Sequence, residues 1–341
     1  MITRFFHIVF VNTLLMACLL CPNATSQDPQ FSQFYASPIY LNPALTGNTA
    51  QARIAGIYRK QWAKVPGAFT SYIFSYDHYL RKYRSGVGLM FMRDQAGAGA
   101  LRFTSISGSY SYLMPINQKL FLRTGARAAF VHRAVDWSEL RFADQYIRDD
   151  PFATVDDMPR SSASYFDASA GVLLYSRSFW AGLSFDHITQ PNESMTGRKS
   201  RVPLKFSMQG GYKYPLTKDI KGKVITSVTA VAIYKAQQKW DQIDIGAYYD
   251  YKSFVIGLWY RGIPVLKYYK PGYSNNDAVV IMLGYKMKNY ISAGYSYDLT
   301  ISKLGIETGG AHEISLIYEF AQPDYKRDQR KKSFMVPCTK F

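Results

Sequence analysis

The sequence is poor in the features that most often announce a chemistry. It has three cysteines, and two of them, Cys18 and Cys21, lie in an apolar N-terminal stretch. A chain left with Cys338 alone has no internal disulfide and no thiolate metal cluster. Past residue 26 the patterns HExxH and CxxC and a phosphate-cradling glycine loop do not occur. His78, His132, His187 and His312 include no pair at a helical metal-ligand spacing. Asp77-His78 and Asp186-His187 are sequence neighbours, and neighbours on a strand point to opposite faces. No nucleophile motif is present, so the chain is not expected to be an enzyme, and no cofactor or metal is expected. Charged residues are scarce at 19%, against about 25% in soluble domains. Past the N-terminus there is no run of roughly 18 apolar residues, which excludes a transmembrane helix from the mature chain.

Positive charge is not scarce. Lys and Arg number 41 against 24 Asp and Glu, for a net charge of +17. The excess is spread along the chain, with one concentration at the C-terminus, and no helix carries a basic stripe. That distribution lacks the footprint of nucleic-acid binding. It fits an anionic membrane surface or an acidic partner.

Residues 1–26 read as an export signal. Arg4 supplies the positive start, Phe5–Leu20 the apolar core, and Ala24-Thr25-Ser26 the small residues before cleavage ahead of Gln27. Lipidation at Cys18 is the competing reading. The Leu-Leu-Cys-Pro that follows suits an apolar core better than a lipoprotein start.

From Gln51 onward, segments of about ten residues alternate apolar and small polar residues and end at Gly, Asn, Asp or Pro clusters. In Tyr290–Leu299, Ile291, Ala293, Tyr295, Tyr297 and Leu299 share one face; Ser292, Gly294, Ser296 and Asp298 share the other. His312–Phe320 and Leu204–Tyr214 repeat the pattern. Tyr (28), Phe (21) and Gly (24) are abundant. The second face is rich in Ser and Gly, read at Gly108, Gly171, Gly246, Gly257, Gly284 and Gly294. Small polar residues suit a crowded lumen whose opposite face meets lipid.

The fold expected is all-β: a transmembrane β-barrel of the outer membrane with about fourteen antiparallel strands. The strands are placed near 51–60, 68–79, 86–93, 101–112, 119–131, 165–175, 178–187, 202–214, 223–234, 240–249, 253–260, 277–286, 289–299 and 312–320. Long connections (132–164, 188–201, 261–276, 300–311) tend to alternate with short ones (80–85, 176–177, 250–252, 287–288), with 235–239 and 215–222 as exceptions. Outer-membrane barrels put short turns in the periplasm, so both chain ends are expected there. Closure pairs the first strand with the one ending at Phe320. Trp62, Tyr72, Trp180, Trp240, Trp259 and Tyr260 are assigned to the interfacial girdles.

Three segments lie outside this repeat. The leader, 27–50, is punctuated by Pro29, Pro38 and Pro43 and carries an apolar cluster. It is expected at the periplasmic mouth or in the lumen, through Phe31, Phe34, Tyr35, Asn42 and Pro43, because apolar clusters seek burial. The loop 132–164 is acidic, matches no calcium-loop spacing, and is read as a solvated exterior loop. Its partner-binding candidates are Trp137, Leu140, Phe142, Asp144 and Tyr146. The tail 321–341 is a basic run, read as solvated or as an arm for an acidic partner or lipid headgroups.

Ordered blocks along residues 27–320 then carry a family resemblance. They are Gln27-Asp28-Pro29, Phe31-Ser32-Gln33-Phe34, Leu41-Asn42-Pro43-Ala44 and Tyr58-Arg59 with Gln61-Trp62. Asp136-Trp137-Ser138, Leu140-Arg141-Phe142, Asp144-Gln145 and Gln190-Pro191-Asn192 follow, and Gly294–Asp298 with His312–Leu316 closes the set. Together they resemble the PorP/SprF family of the type IX secretion system of Bacteroidetes. The resemblance implies an outer-membrane barrel without enzymatic activity. It would help export or surface-anchor one secreted adhesin-like protein, with gliding motility as a setting. Its implied partners are a secreted protein with a C-terminal sorting domain, other type IX components and outer-membrane lipid. The alternative is a passive outer-membrane channel for small molecules.

Overall fold

The computed structural model describes residues 28–97, 101–140, 142–148, 160–197, 199–220, 222, 224–270, 273–287, 290–303, 305–320 and 335–338. The expected export signal, 1–26, lies outside them. By backbone contacts, residues 1–30 and 31–341 are separate units, and the barrel belongs to the second.

Fourteen strands close into one antiparallel barrel. They are β1 (Ala52–Gln61), β2 (Phe69–Leu80), β3 (Ser85–Ala96), β4 (Leu101–Pro115), β5 (Phe121–Val135), β6 (Ser162–Tyr175) and β7 (Phe179–Asp186). β8 (Lys205–Lys218), β9 (Val224–Gln237), β10 (Trp240–Tyr251), β11 (Phe254–Lys270), β12 (Tyr273–Lys286), β13 (Ile291–Thr300) and β14 (Ala311–Glu319) complete it. Each strand pairs with its sequence neighbour, and β1 closes on β14 from Arg53↔Glu319 to Gln61↔Ala311. Closure leaves no sheet edge, and in hydrocarbon each unpaired backbone group on such an edge costs several kcal/mol.

The period of two sorts the faces. On β14, Ile314, Leu316 and Tyr318 are exposed on the outside while Glu313, Ser315 and Ile317 are buried within. β8 and β13 follow the same rule, with Met208 and Tyr295 outside and Gln209 and Ser296 inside. Connections at one end are short: 81–84, 116–120, 176–178, 219–223, 252–253 and 287–290. Both ends of the barrel sequence, Ala52 and Glu319, lie at this turn end. The other end carries the long connections 136–161, 187–204 and 301–310, beside short ones such as 238–239, and is the loop end.

Three expectations need correction. The segment 261–276 is not a loop. β11 and β12 run on through it as a ribbon, with a register shift at Gly262, where φ is +139°. β10 pairs with β11 only as far as Arg261, so the ribbon leaves the wall there. Gly108 is not on the lumen side; it pairs with Leu89, which is 62% exposed, and shares its outer face. Trp180 and Trp259 are not girdle residues. Each is 2% exposed and points inward, whereas Tyr72 is exposed outside. Trp259 lies two residues from inward Gly257, so strand parity overrides the usual tryptophan preference for the interface.

Candidate functional site

The lumen is occupied by residues 31–50 of the chain's own leader. Pro38 starts a single helical turn, α1 (Pro38–Leu41), where its missing N–H costs nothing. Asn42 then ends that turn and caps the next, its Oδ1 accepting from the Ala44 N–H at 2.8 Å. The prolines and this cap make a compact, non-strand segment that fits inside the barrel. Phe31, Phe34, Tyr35, Asn42 and Pro43 are all buried.

Toward the loop end an ionic cluster grips Ser32 and Gln33. Arg59 lies 2.8 Å from Asp298 and 3.1 Å from Glu313. Arg261 lies 2.9 Å from Asp244 and 3.0 Å from the same Asp298. Lys235 reaches Asp244 at 3.3 Å, so three cations face three carboxylates. Glu313 accepts from the Ser32 and Gln33 backbone N–H groups, each at 2.8 Å. The Ser32 hydroxyl donates to Asp298 at 2.6 Å and accepts from Arg59 and Arg261. Gln33 donates to the Glu313 carbonyl and accepts from Ser315. Every leader group here meets a charged or hydroxyl partner, the condition under which buried charges are tolerated.

Nearer the turn end the grip is on the backbone. Asp77 is held bidentately by Arg53 and accepts from the Gly47 N–H at 2.8 Å. Ser111 donates to the Thr46 carbonyl at 2.7 Å. Arg127 joins Asp186 at 2.6 Å to the Ile39 carbonyl at 3.0 Å. Asn42 donates to the Leu183 carbonyl on β7. The rings that looked like girdle residues complete the seat. Trp180 donates to the Tyr35 hydroxyl at 3.2 Å, and Trp259 packs beside Phe34 with ring centres 5.1 Å apart.

A second segment packs against the leader. Met335–Cys338 lies at the turn end, with Val336 3% and Cys338 7% exposed in the same apolar cluster as the leader. The Val336 N–H donates to Asn48 Oδ1 at 2.9 Å, and Asn48 Nδ2 donates to the Cys338 sulfur at 3.5 Å. Of the basic tail, 335–338 is therefore seated, while 321–334 and 339–341 lie outside the described residues. Removing both hydrogen bonds with Asn48→Ala lowers the cost of opening by about 1–2 kcal/mol. A membrane-impermeant maleimide is then expected to label Cys338 roughly tenfold faster than in the wild type. Equal labelling rates count against a seated segment.

At the loop end, Trp137 and Phe142 approach with ring centres 6.2 Å apart across a turn capped by Asp136. Ser138, through its hydroxyl and N–H, holds the Asp136 carboxyl below its ordinary pKa. Asp144 pairs with Arg148 within α2 (Ala143–Arg148). Leu140 is exposed, and Tyr146 and Ile147 are 64% and 85% exposed. Trp137 and Phe142 are thus brought together; Arg141 and 149–159 of this loop lie outside the described residues. Among the described residues, no group of three His, Cys, Asp or Glu converges as a metal site. Sequence reasoning missed Arg59, Arg261 and Asp244, though parity places each charge on an inward face.

A family model described as type IX secretion system membrane protein PorP/SprF matches residues 23–318. Comparison with curated proteins gives no match. Among solved structures, the CymD monoaromatic hydrocarbon channel has a TM-score of 0.51 at 12% identity, over 84% of this chain and 93% of its own. A Pseudomonas aeruginosa FadL homologue gives 0.46 at 12% identity, over 84% and 94%. Acinetobacter baumannii outer membrane protein Omp33 gives 0.42 at 10%, over 81% and 100%. At such identities the likeness is one of barrel architecture alone.

Proposed function

The chain belongs to the PorP/SprF family of type IX secretion system outer-membrane proteins, and from that premise we propose that this barrel helps export one secreted, adhesin-like partner and holds it at the cell surface. In this reading the loop end faces outward and receives the partner's C-terminal sorting domain, while the turn end meets other components of the secretion system. Where the partner drives gliding, the barrel is its outer-membrane anchor.

The observation that carries this reading is the filled lumen. Ser32, Gln33 and Asn42 bond to the wall, and Phe34 and Tyr35 pack against inward tryptophans. A barrel that spends its interior on its own leader offers its two ends as working surfaces. A passive channel needs an open lumen instead. Tyr146 and Ile147 supply exposed apolar contact at the loop end, of the kind that marks interaction sites.

The test is deletion of 136–161 with β5 and β6 rejoined by a short turn. The barrel is expected to assemble and the partner to be lost from the cell surface. Retention of the partner at wild-type levels would remove the loop from the mechanism.

A further inference from the structure

Among the described residues, the turns of the turn end are cationic. Each short turn there brings a cation to the tip or its flank: Lys82, Lys119, Arg177, Lys218, Lys252 and Lys286. All but the last are exposed, and Lys286 is half-buried beside Asp250. Among the described residues of these turns, Asp219 is the one carboxylate.

Two surroundings accept such a face: anionic headgroups or an acidic protein. The outward flank at this end is aromatic, with Tyr112, Tyr214, Tyr251 and Tyr285 exposed on it. Aromatic girdles mark the headgroup level. The cations stand beyond it on the turns, and Lys213 and Lys286 turn inward toward Asp250 at the mouth, away from lipid of the same membrane. Between the cations, Tyr83 (63%), Ile116 (53%) and Ile220 (104%) are exposed apolar groups. Apolar anchors ringed by charge are the anatomy of a protein interface.

We propose that the turn end is a docking face for an acidic protein surface, with the cationic turns as its ring and Tyr83, Ile116 and Ile220 as its anchors. The proposal rests on the secretion reading above, which supplies a periplasmic machinery for the face to meet. Opposite charge steers the encounter, and the apolar anchors set the register of the complex.

The test uses the full chain in phosphatidylcholine nanodiscs and a variant carrying Lys82→Glu, Lys119→Glu and Lys252→Glu. Poly-glutamate is expected to bind the wild type and to lose roughly tenfold in affinity with the variant. The wild-type binding is expected to weaken as salt rises from about 50 mM to about 500 mM. Equal binding by both proteins overturns the proposal, as does binding of phosphatidylglycerol vesicles with none of poly-glutamate. In cells, a photo-crosslinker at Ile220 is expected to give an adduct with an acidic periplasmic protein that the charge-reversed variant loses. Loss of that adduct with the secreted partner still at the surface supports the docking face and removes the secretion reading. An unchanged adduct in the reversed variant overturns the docking face and leaves that reading standing. Heat-modifiable migration on gels checks that each variant has folded.

Discussion

Arg261→Ala is expected to release the leader from the lumen and turn a nearly closed barrel into a conducting one. Arg261 is buried and bonds at once to Asp244, Asp298 and the Ser32 hydroxyl. Its removal leaves two buried carboxylates short of a partner. Breaking a buried ion pair from one side costs on the order of 3–5 kcal/mol, because the surviving charge stays desolvated. The wall is held by a closed ladder of backbone hydrogen bonds, whereas the leader is tied to the wall through side-chain bonds and packing. The cost therefore falls on the leader first, and water enters to solvate Asp244 and Asp298. Planar-bilayer conductance is expected to rise, and chymotrypsin or a nonspecific protease to cut within 31–50 while the barrel band stays intact. Arg261→Lys is expected to rescue little, since one ammonium cannot bridge both carboxylates with the planar fork of a guanidinium. Arg261→Ala with Asp244→Asn is expected to recover part of the loss, by removing one of the stranded charges. A variant that conducts and resists protease as the wild type does would show that the cluster serves the wall and not the leader.

The barrel was legible in the sequence because its physics is periodic. Alternation along Tyr290–Leu299 and His312–Phe320 sets inside from outside, and a membrane sheet must close, which dictates the pairing of β1 with β14. Phe31, Phe34 and Tyr35 were legible as buried because nothing else in an exported, non-strand leader accounts for that cluster. What misled was residue type set above position. Trp180 and Trp259 look like girdle residues by composition, yet they share a face with Ser184 and Gly257 and meet Tyr35 and Phe34 inside. Gly108 has a lumen-like identity, but its register with Leu89 places it outside. The seated segment Met335–Cys338 had no local signal at all. Its position depends on Asn48, far away in sequence, and no period or spacing reports such a contact.

Gly86→Ala and Gly125→Ala are each expected to loosen the leader, while Gly108→Ala leaves it unchanged. A Cβ on Gly86 would stand 2.2 Å from the Thr46 carbonyl oxygen, and one on Gly125 would stand 2.4 Å from the Pro43 carbonyl carbon. Both obstacles are backbone, which cannot swing aside as a side-chain tip can. Thr46 is further constrained because Gly47 follows it at φ +69°, with Gly86 packed against it. Gly108 faces outward with open space around its Cβ position. Overpacking of this kind costs about 1–3 kcal/mol at each buried site, against a few tenths at an unobstructed one. The two sites lie on different strands, so the double variant is expected to approach the sum. Protease cleavage within 31–50 and maleimide labelling of Cys338 are the readouts. The decisive control is the same substitutions in a barrel lacking 31–46. There the obstacle is gone, and Gly86→Ala and Gly125→Ala are expected to cost no more than Gly108→Ala. An undiminished penalty in that background assigns these glycines to strand geometry alone. A vanished penalty means that the inward face of β3 and β5 is shaped around the leader, which makes the filled lumen a property of the wall as much as of the leader itself.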